Sequence, residues 1–152
     1  VEGNEFTKKI DEYAEKNNSE VLLVSAKIES EISQISDENE KKEFLESLGL
    51  VETGLKRVIR KGYEILNYIN FFTAGEKELR AWTIVKGSLA PTAAGTIHSD
   101  MEKGFIRAET ISYDDYIEFK GEAGSKEKGK LRLEGKEYVV QDGDVMHFLF
   151  NV

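Results

Sequence analysis

The pattern of apolar residues changes once along this chain, between Asn67 and Phe71, and the change restricts the chain to a mixed architecture. Before it, apolar residues recur at helical spacing. Phe6, Ile10, Tyr13 and Ala14 share one face of a helix expected over residues 5–17. Leu55, Val58, Ile59, Tyr63 and Leu66 mark another helix, interrupted only by Gly62. Ser36 suits the N-cap of an acidic helix over 37–48, and Gly49 suits its stop. One segment departs from this pattern. Glu20-Val-Leu-Leu-Val-Ser25 is a short continuous apolar run between polar residues, which reads as a strand buried on both faces of a parallel sheet. A single strand has no ladder, so its partners are expected elsewhere, as in an α/β unit of which only helices and one strand are here.

After the change the pattern is strand-like. Phe71–Ala74 and Leu79–Val85 are expected as two strands around a Gly75-Glu76 turn, and Phe105–Ile111 as a third. Pro91 fits the first turn of a helix over about 92–103. Ser112, with Asp115 three residues on, resembles a capping box for a short helix. Lys136–Val140 and Val145–Phe150 flank Gln141-Asp-Gly-Asp144, a strong hairpin signal. The expected class is α+β: an incomplete α/β piece over 1–67, then a small roll over 68–152.

Composition removes several function classes. The chain has 152 residues, enough for one domain or two small ones. It has no cysteine, which excludes disulfides and thiolate metal sites and fits a reducing compartment. No apolar run approaches the roughly 18 residues of a membrane helix, so no membrane partner is expected. No secretory leader is visible, and Val1 in place of Met leaves an upstream region open. The net charge is −8, with 10 basic and 15 acidic groups over residues 1–67 and 11 and 14 over 68–152. Bulk charge therefore disfavours nucleic-acid binding, and any RNA contact must come from a local patch.

Three long motifs go further. They are Phe71-Phe-Thr-Ala-Gly-Glu-Lys-Glu-Leu-Arg-Ala-Trp82-Thr, Ala94-Ala-Gly-Thr-Ile-His-Ser-Asp-Met-Glu-Lys-Gly-Phe-Ile-Arg-Ala108 and Asp142-Gly-Asp-Val-Met-His-Phe-Leu-Phe-Asn-Val152. Together they resemble the YchF family, Obg-like P-loop NTPases whose chains end in a TGS domain. The resemblance runs from about Glu20 to Val152. It implies a β-grasp, ubiquitin-like TGS domain over 68–152 and the C-terminal remnant of an NTPase domain over 1–67. It implies a cytoplasmic parent that binds and hydrolyses ATP or GTP with Mg²⁺ and associates with the ribosome. It places the missing N-terminal NTPase half in cis, upstream, and makes Val152 the natural C-terminus.

Ser25-Ala26-Lys27 directly follows the expected strand, and in P-loop GTPases this triplet is the last nucleotide-binding loop. Ligands of open α/β sheets bind beyond the carboxyl ends of strands. Backbone N–H groups there can donate to a base edge while the lysine stem covers the ring. The plain alternative is an ordinary strand-to-loop junction. The other nucleotide motifs are not in place: there is no Gly-x-x-x-x-Gly-Lys-[Ser/Thr] and no Walker B aspartate in context, and the resemblance puts the base-reading Asn-x-x-Glu motif upstream, just before this chain starts. Gly124-Ser-Lys-Glu-Lys-Gly129-Lys130 has phosphate-loop spacing, but Leu131 replaces the Mg²⁺-binding Ser or Thr and no buried strand precedes it. Phosphoryl transfer needs the cradle, the lysine and the metal together, so no catalytic residue and no cofactor is expected in this piece itself.

The same region carries the one local excess of positive charge in the second half. Lys120, Lys126, Lys128, Lys130, Arg132 and Lys136 face three acidic residues over 120–136. If extended, the alternating Lys126, Lys128, Lys130 and Arg132 would line one face and contact RNA or the ribosome through phosphates. The alternative is a solvated loop. Lys56, Arg57, Arg60 and Lys61 form a second cluster, read mainly as an exposed helix face. His147 reads as a satisfied strand residue, and His98 with Asp100 and Glu102 lacks the spaced third ligand of a metal site. Trp82, Phe105, Phe148 and Phe150 read as core; an exposed one would suggest base stacking.

Two functional readings stay open: a piece of a ribosome-associated NTPase, or an autonomous β-grasp adapter for RNA or protein. The coding sequence upstream of Val1 discriminates them. A free-standing enzyme finds no Ser/His/Asp or Cys/His arrangement to support it.

Overall fold

The computed structural model describes residues 4–75 and 78–151. It divides into two compact units between Gly62 and Tyr63.

The first unit is helical. α1 spans Glu5–Lys16, with the Asn4 side chain accepting from the N–H groups of Phe6 at 2.9 Å and Thr7 at 3.0 Å. α2 spans Ala26–Gln34, a helix that the periodicity does not reveal. α3 spans Glu38–Ser47, capped by Asp37 in place of the expected Ser36, whose neighbour's carboxylate accepts from Asn39 and Glu40 at 2.9 and 3.0 Å. Gly49 follows at φ +69°, a left-handed position where glycine avoids the Cβ penalty. α4 spans Gly54–Ile65, and the division between units falls within it.

The strand expected over Glu20–Ser25 does not form. The first unit contains no strand among its described residues, so the segment has no ladder partner for its backbone. Its apolar side chains stand open: Leu23 is 50% exposed, and Val21 and Val24 are also exposed.

In the second unit, β1 spans Tyr68–Ala74, β2 Leu79–Val85, β3 Phe105–Ile111, β4 Arg132–Glu134 and β5 Val145–Phe150. The sheet order is β2-β1-β5-β3-β4. β1 runs parallel to β5, and the other neighbours are antiparallel. A parallel pair needs a long crossover, and here nearly the whole unit lies between the two central strands. One face carries Ile69, Phe71, Ile84, Ala108, Met146 and Phe148 into the core. α5, Ala90–Ile97, packs against that core through Ala90, Ala93 and Ala94, all fully buried. Three alanines on one face let the helix backbone approach the sheet closely. Each large side chain such as Phe71 or Phe148 contributes roughly 1.5–3 kcal/mol by burial. This is the β-grasp arrangement that the family resemblance implies.

Several local expectations change. The helix over 92–103 is two helices, α5 and α6 (Ser99–Lys103). His98 leaves helical geometry at φ −160° and its Nδ1 accepts from the Asp100 N–H at 3.2 Å, starting the second helix. Lys136–Val140 does not pair with β5 across the Asp142-Gly143 turn. Both edges of β5 are already occupied, by β1 and β3, so no third ladder is available. Instead Val139 bridges Leu89, with Val140 N–H donating to the Ser88 carbonyl at 3.0 Å and Ala90 N–H to the Tyr138 carbonyl at 2.9 Å. The turn itself forms, with Gly143 at φ +84°. Gly75 N–H donates to the Glu78 carbonyl at 2.9 Å, whereas Glu76 of the expected turn lies outside the described residues. Phe105 and Phe148 are core, Trp82 packs partly buried against it, and Phe150 is exposed at the end of β5.

Candidate functional site

Ser25, Ala26 and Lys27 form the start of α2 and not a loop beyond a paired strand. The Ser25 hydroxyl caps the helix, accepting from Ile28 N–H at 3.4 Å. The N–H groups of Ala26 and Lys27 are the first of that helix and have no intrahelical acceptor. Lys27 is exposed and loosely paired with Glu31 at 3.9 Å. The triplet therefore presents two backbone donors and an exposed lysine stem at the start of α2.

What shapes this segment lies on α4. The Glu29 carboxylate accepts from Gly54 N–H at 2.7 Å and from Leu55 N–H at 3.3 Å. Arg57 Nη1 donates to the Leu23 carbonyl at 3.4 Å. Gly54 is buried against Val24, and an added Cβ would lie 2.8 Å from Val24 Cγ1 and 2.9 Å from Glu29 Oε1. No periodicity or spacing in the sequence points to Glu29, because its partners are 25 and 26 positions away. The second basic cluster is largely engaged locally: Arg57 as described, Arg60 with Glu52, and Lys61 with Glu20 at 3.2 Å.

In the second unit the six candidate cations do not share an extended strand. α7 spans Tyr113–Glu118 and α8 spans Glu122–Glu127. Lys120 sits between them at φ +58°, Lys126 lies in the last turn of α8, and Lys128 is its C-cap. Lys130 follows the helix and Arg132 opens β4, while Lys136 is in the turn beyond it. The helical turn breaks the alternation, so the single face expected of an extended run is not present.

Two of the six are held by carboxylates. Lys130 pairs with Asp115 at 3.1 Å, and Asp115 also accepts from the Ser112 hydroxyl at 2.7 Å. That hydroxyl first, and Lys130 second, hold the Asp115 carboxyl below its usual range. Arg132 reaches Asp144 at 3.3 Å and Glu134 at 3.4 Å. Asp144 is buried and also accepts from Tyr138 O–H at 2.7 Å and Gln141 N–H at 2.9 Å. Burial, then the hydrogen bond to Asp144, pushes the Tyr138 phenol well above its ordinary value. This cluster fixes the 141–144 turn beside β1, where Asp142 accepts from Asn70 N–H and Phe72 N–H donates to the Asp144 carbonyl, both at 2.8 Å. Lys120, Lys126, Lys128 and Lys136 are exposed and make no ion pair among the described residues. His147 is exposed in β5 opposite Glu109, and His98 Nδ1 lies 3.6 Å from Asp100.

Comparison with known proteins gives one consistent answer. A family model named YchF-GTPase_C, described as a protein of unknown function (DUF933), matches residues 68–151. A protein of Pasteurella multocida named ribosome-binding ATPase YchF is 60% identical over 99% of this chain, and one of Bacillus subtilis with the same name is 59% identical over 99%. This chain spans only 41% of the length of each. Among solved structures, the Schizosaccharomyces pombe YchF GTPase superposes with a TM-score of 0.79 at 36% identity, over 96% of this chain and 39% of that one. A GTP-binding protein from Pyrococcus horikoshii shares the fold, with a TM-score of 0.64 at 20% identity over 98% of this chain and 42% of that one. With the β-grasp sheet and the matched motifs already in place, these findings establish that the chain belongs to the YchF family of GTPases and corresponds to its C-terminal part.

Proposed function

We propose that this chain is the C-terminal portion of a cytoplasmic, ribosome-binding NTPase that binds and hydrolyses ATP or GTP with Mg²⁺. Residues 1–67 are the remnant of its NTPase domain and residues 68–152 its TGS domain. The observation that carries this reading is 60% identity, across nearly the whole chain, to a protein named ribosome-binding ATPase. In this reading Ser25, Ala26 and Lys27 serve the base side of the nucleotide through the two open N–H groups of α2. The nucleotide supplies the phosphoryl group and Mg²⁺ offsets its charge, while the residues gripping both come from the N-terminal half in cis. The exposed apolar residues of the first unit support this view, since Val21, Leu23 and Val24 have the character of a strand designed for neighbours. Taken alone, the chain should neither hydrolyse ATP nor bind it tightly, and turnover that survives a contaminant control would contradict this.

The TGS domain supplies the ribosome contact, with rRNA phosphates meeting the lysines around α8. Lys120, Lys126, Lys128 and Lys136 are the free members of the patch, whereas Lys130 and Arg132 are occupied within the fold. Co-sedimentation of this chain with ribosomes across a salt series tests the contact. Replacing Lys126 and Lys128 by alanine should weaken binding and make the logarithmic salt slope shallower by about one unit per lost phosphate contact. An unchanged slope returns the lysines to plain surface.

A further inference from the structure

We infer that Glu29, with Gly54 and Arg57, is the device that positions the base-side segment, and that purine recognition depends on it. The inference rests on the proposed role of Ser25-Ala26-Lys27. Within this chain Glu20–Ser25 makes no ladder, so the contacts that hold the triplet here are those from α4. Arg57 holds the Leu23 carbonyl just before the triplet, at 3.4 Å. Glu29 grips the first N–H groups of α4 just after it, at 2.7 and 3.3 Å. Between these anchors Val24 rests on Gly54, where a Cβ would overlap it.

The chemistry of each contact suits a rigid mount. The N–H groups of Gly54 and Leu55 open α4 and have no intrahelical acceptor, so a carboxylate answers both the unpaired donors and the positive end of the helix. A two-oxygen carboxylate meeting two successive N–H groups fixes the orientation of the Glu29 side chain, and so the rotation of the first turn of α2. That turn carries the Ala26 and Lys27 N–H groups. A hydrogen bond from a backbone donor to a base weakens steeply as its angle opens. A small rotation of α2 would therefore cost base recognition while leaving any phosphate contact untouched. Glu29 touches no ligand in this scheme and acts only through the segment that it orients.

The test compares Glu29→Ala, Glu29→Gln and Gly54→Ala in the full-length protein of the proposal, measuring affinity for ATP and for inorganic tripolyphosphate. Amide exchange at Gly54 and Leu55 is read in the same variants. Glu29→Ala should weaken ATP binding by about tenfold. Tripolyphosphate binding should stay within about twofold, and Gly54 and Leu55 exchange should accelerate. Glu29→Gln, which keeps one acceptor, should recover part of both effects. Equal losses for ATP and tripolyphosphate would make Glu29 merely structural and overturn the inference. Unchanged amide exchange would remove the clamp itself, whatever the nucleotide does. If the unmodified protein binds ATP no better than tripolyphosphate, the base-side role of Ser25-Ala26-Lys27 fails first and takes the inference with it. Accelerated amide exchange in Glu29→Ala would then show that the clamp exists without that use.

Discussion

The two units solve the same problem with unequal means. The second closes its core: Phe71, Ala90, Ala93, Ala94 and Ala108 are fully buried, and every strand of its sheet has a partner. Among its described residues the first buries only Ala14, Ile32, Leu45 and Gly54, and leaves Phe6, Ile10, Val51 and Leu55 exposed. The lesson is that local propensity builds helices in both, but only a completed sheet provides a surface large enough to bury them. The first unit instead relies on caps and polar clamps, such as Asn4, Asp37 and Glu29.

The largest expected effect comes from the closed core. Phe71→Ala should cost about 3–5 kcal/mol, because the ring is wholly buried and packs edge-on against Phe148. Leu45→Ala, in the open unit, should cost about 2 kcal/mol or less. Denaturant unfolding followed by Trp82 fluorescence for the first and by helical circular dichroism for the second measures both. Equal losses would erase the contrast between the units.

A smaller effect sharpens the same point. Gly104 precedes β3, and a Cβ there would overlap the backbone carbonyl of Asn151, whose N–H donates to the Gly104 carbonyl at 2.9 Å. Gly104→Ala should cost about 1–3 kcal/mol, since the neighbour is backbone and cannot swing aside. In the open unit Gly62 meets nothing within 4 Å, so Gly62→Ala in α4 should be neutral or should stabilise by about 0.5–1 kcal/mol. Thermal unfolding of the pair checks the sign of each change.

The smallest effect is electrostatic. The folded-state pKa of Asp115 is lowered by Ser112 and then Lys130, so its contribution is present above the ordinary aspartate range and is lost as pH falls through the lowered value. Stability of the unmodified chain and of Asp115→Asn should therefore differ at neutral pH and converge in acid. A difference that persists below pH of about 2 would assign the effect to packing.

Much of this was legible before any coordinates, and the failures share a cause. β1, β2, β3 and β5 announce themselves as short runs rich in aromatic and branched apolar residues, such as Phe71–Ala74 and Val145–Phe150, set off by turn residues. α1, α3 and α4 show through caps and periodicity. β4 has three residues at a sheet edge, too few to show a period. Lys136–Val140 reads as a hairpin arm, but pairing depends on which edges of β5 are free, and that is a property of the whole sheet. The run Glu20–Ser25 has a strand's composition without a strand's neighbours. At the candidate site the positions of Ser25, Ala26 and Lys27 could be named from sequence, but Glu29 could not. Nor could the capture of Lys130 by Asp115 or of Arg132 by Asp144, since charge counting does not see partners brought close by folding.

Residue-resolved amide hydrogen exchange on this chain tests the contrast most directly. The account predicts slow exchange for paired amides of β1, β3 and β5, including Phe72 and Ala108, and rapid exchange throughout Val21–Val24, which has no ladder. Protection at Val21–Val24 equal to that of the central strands would contradict it.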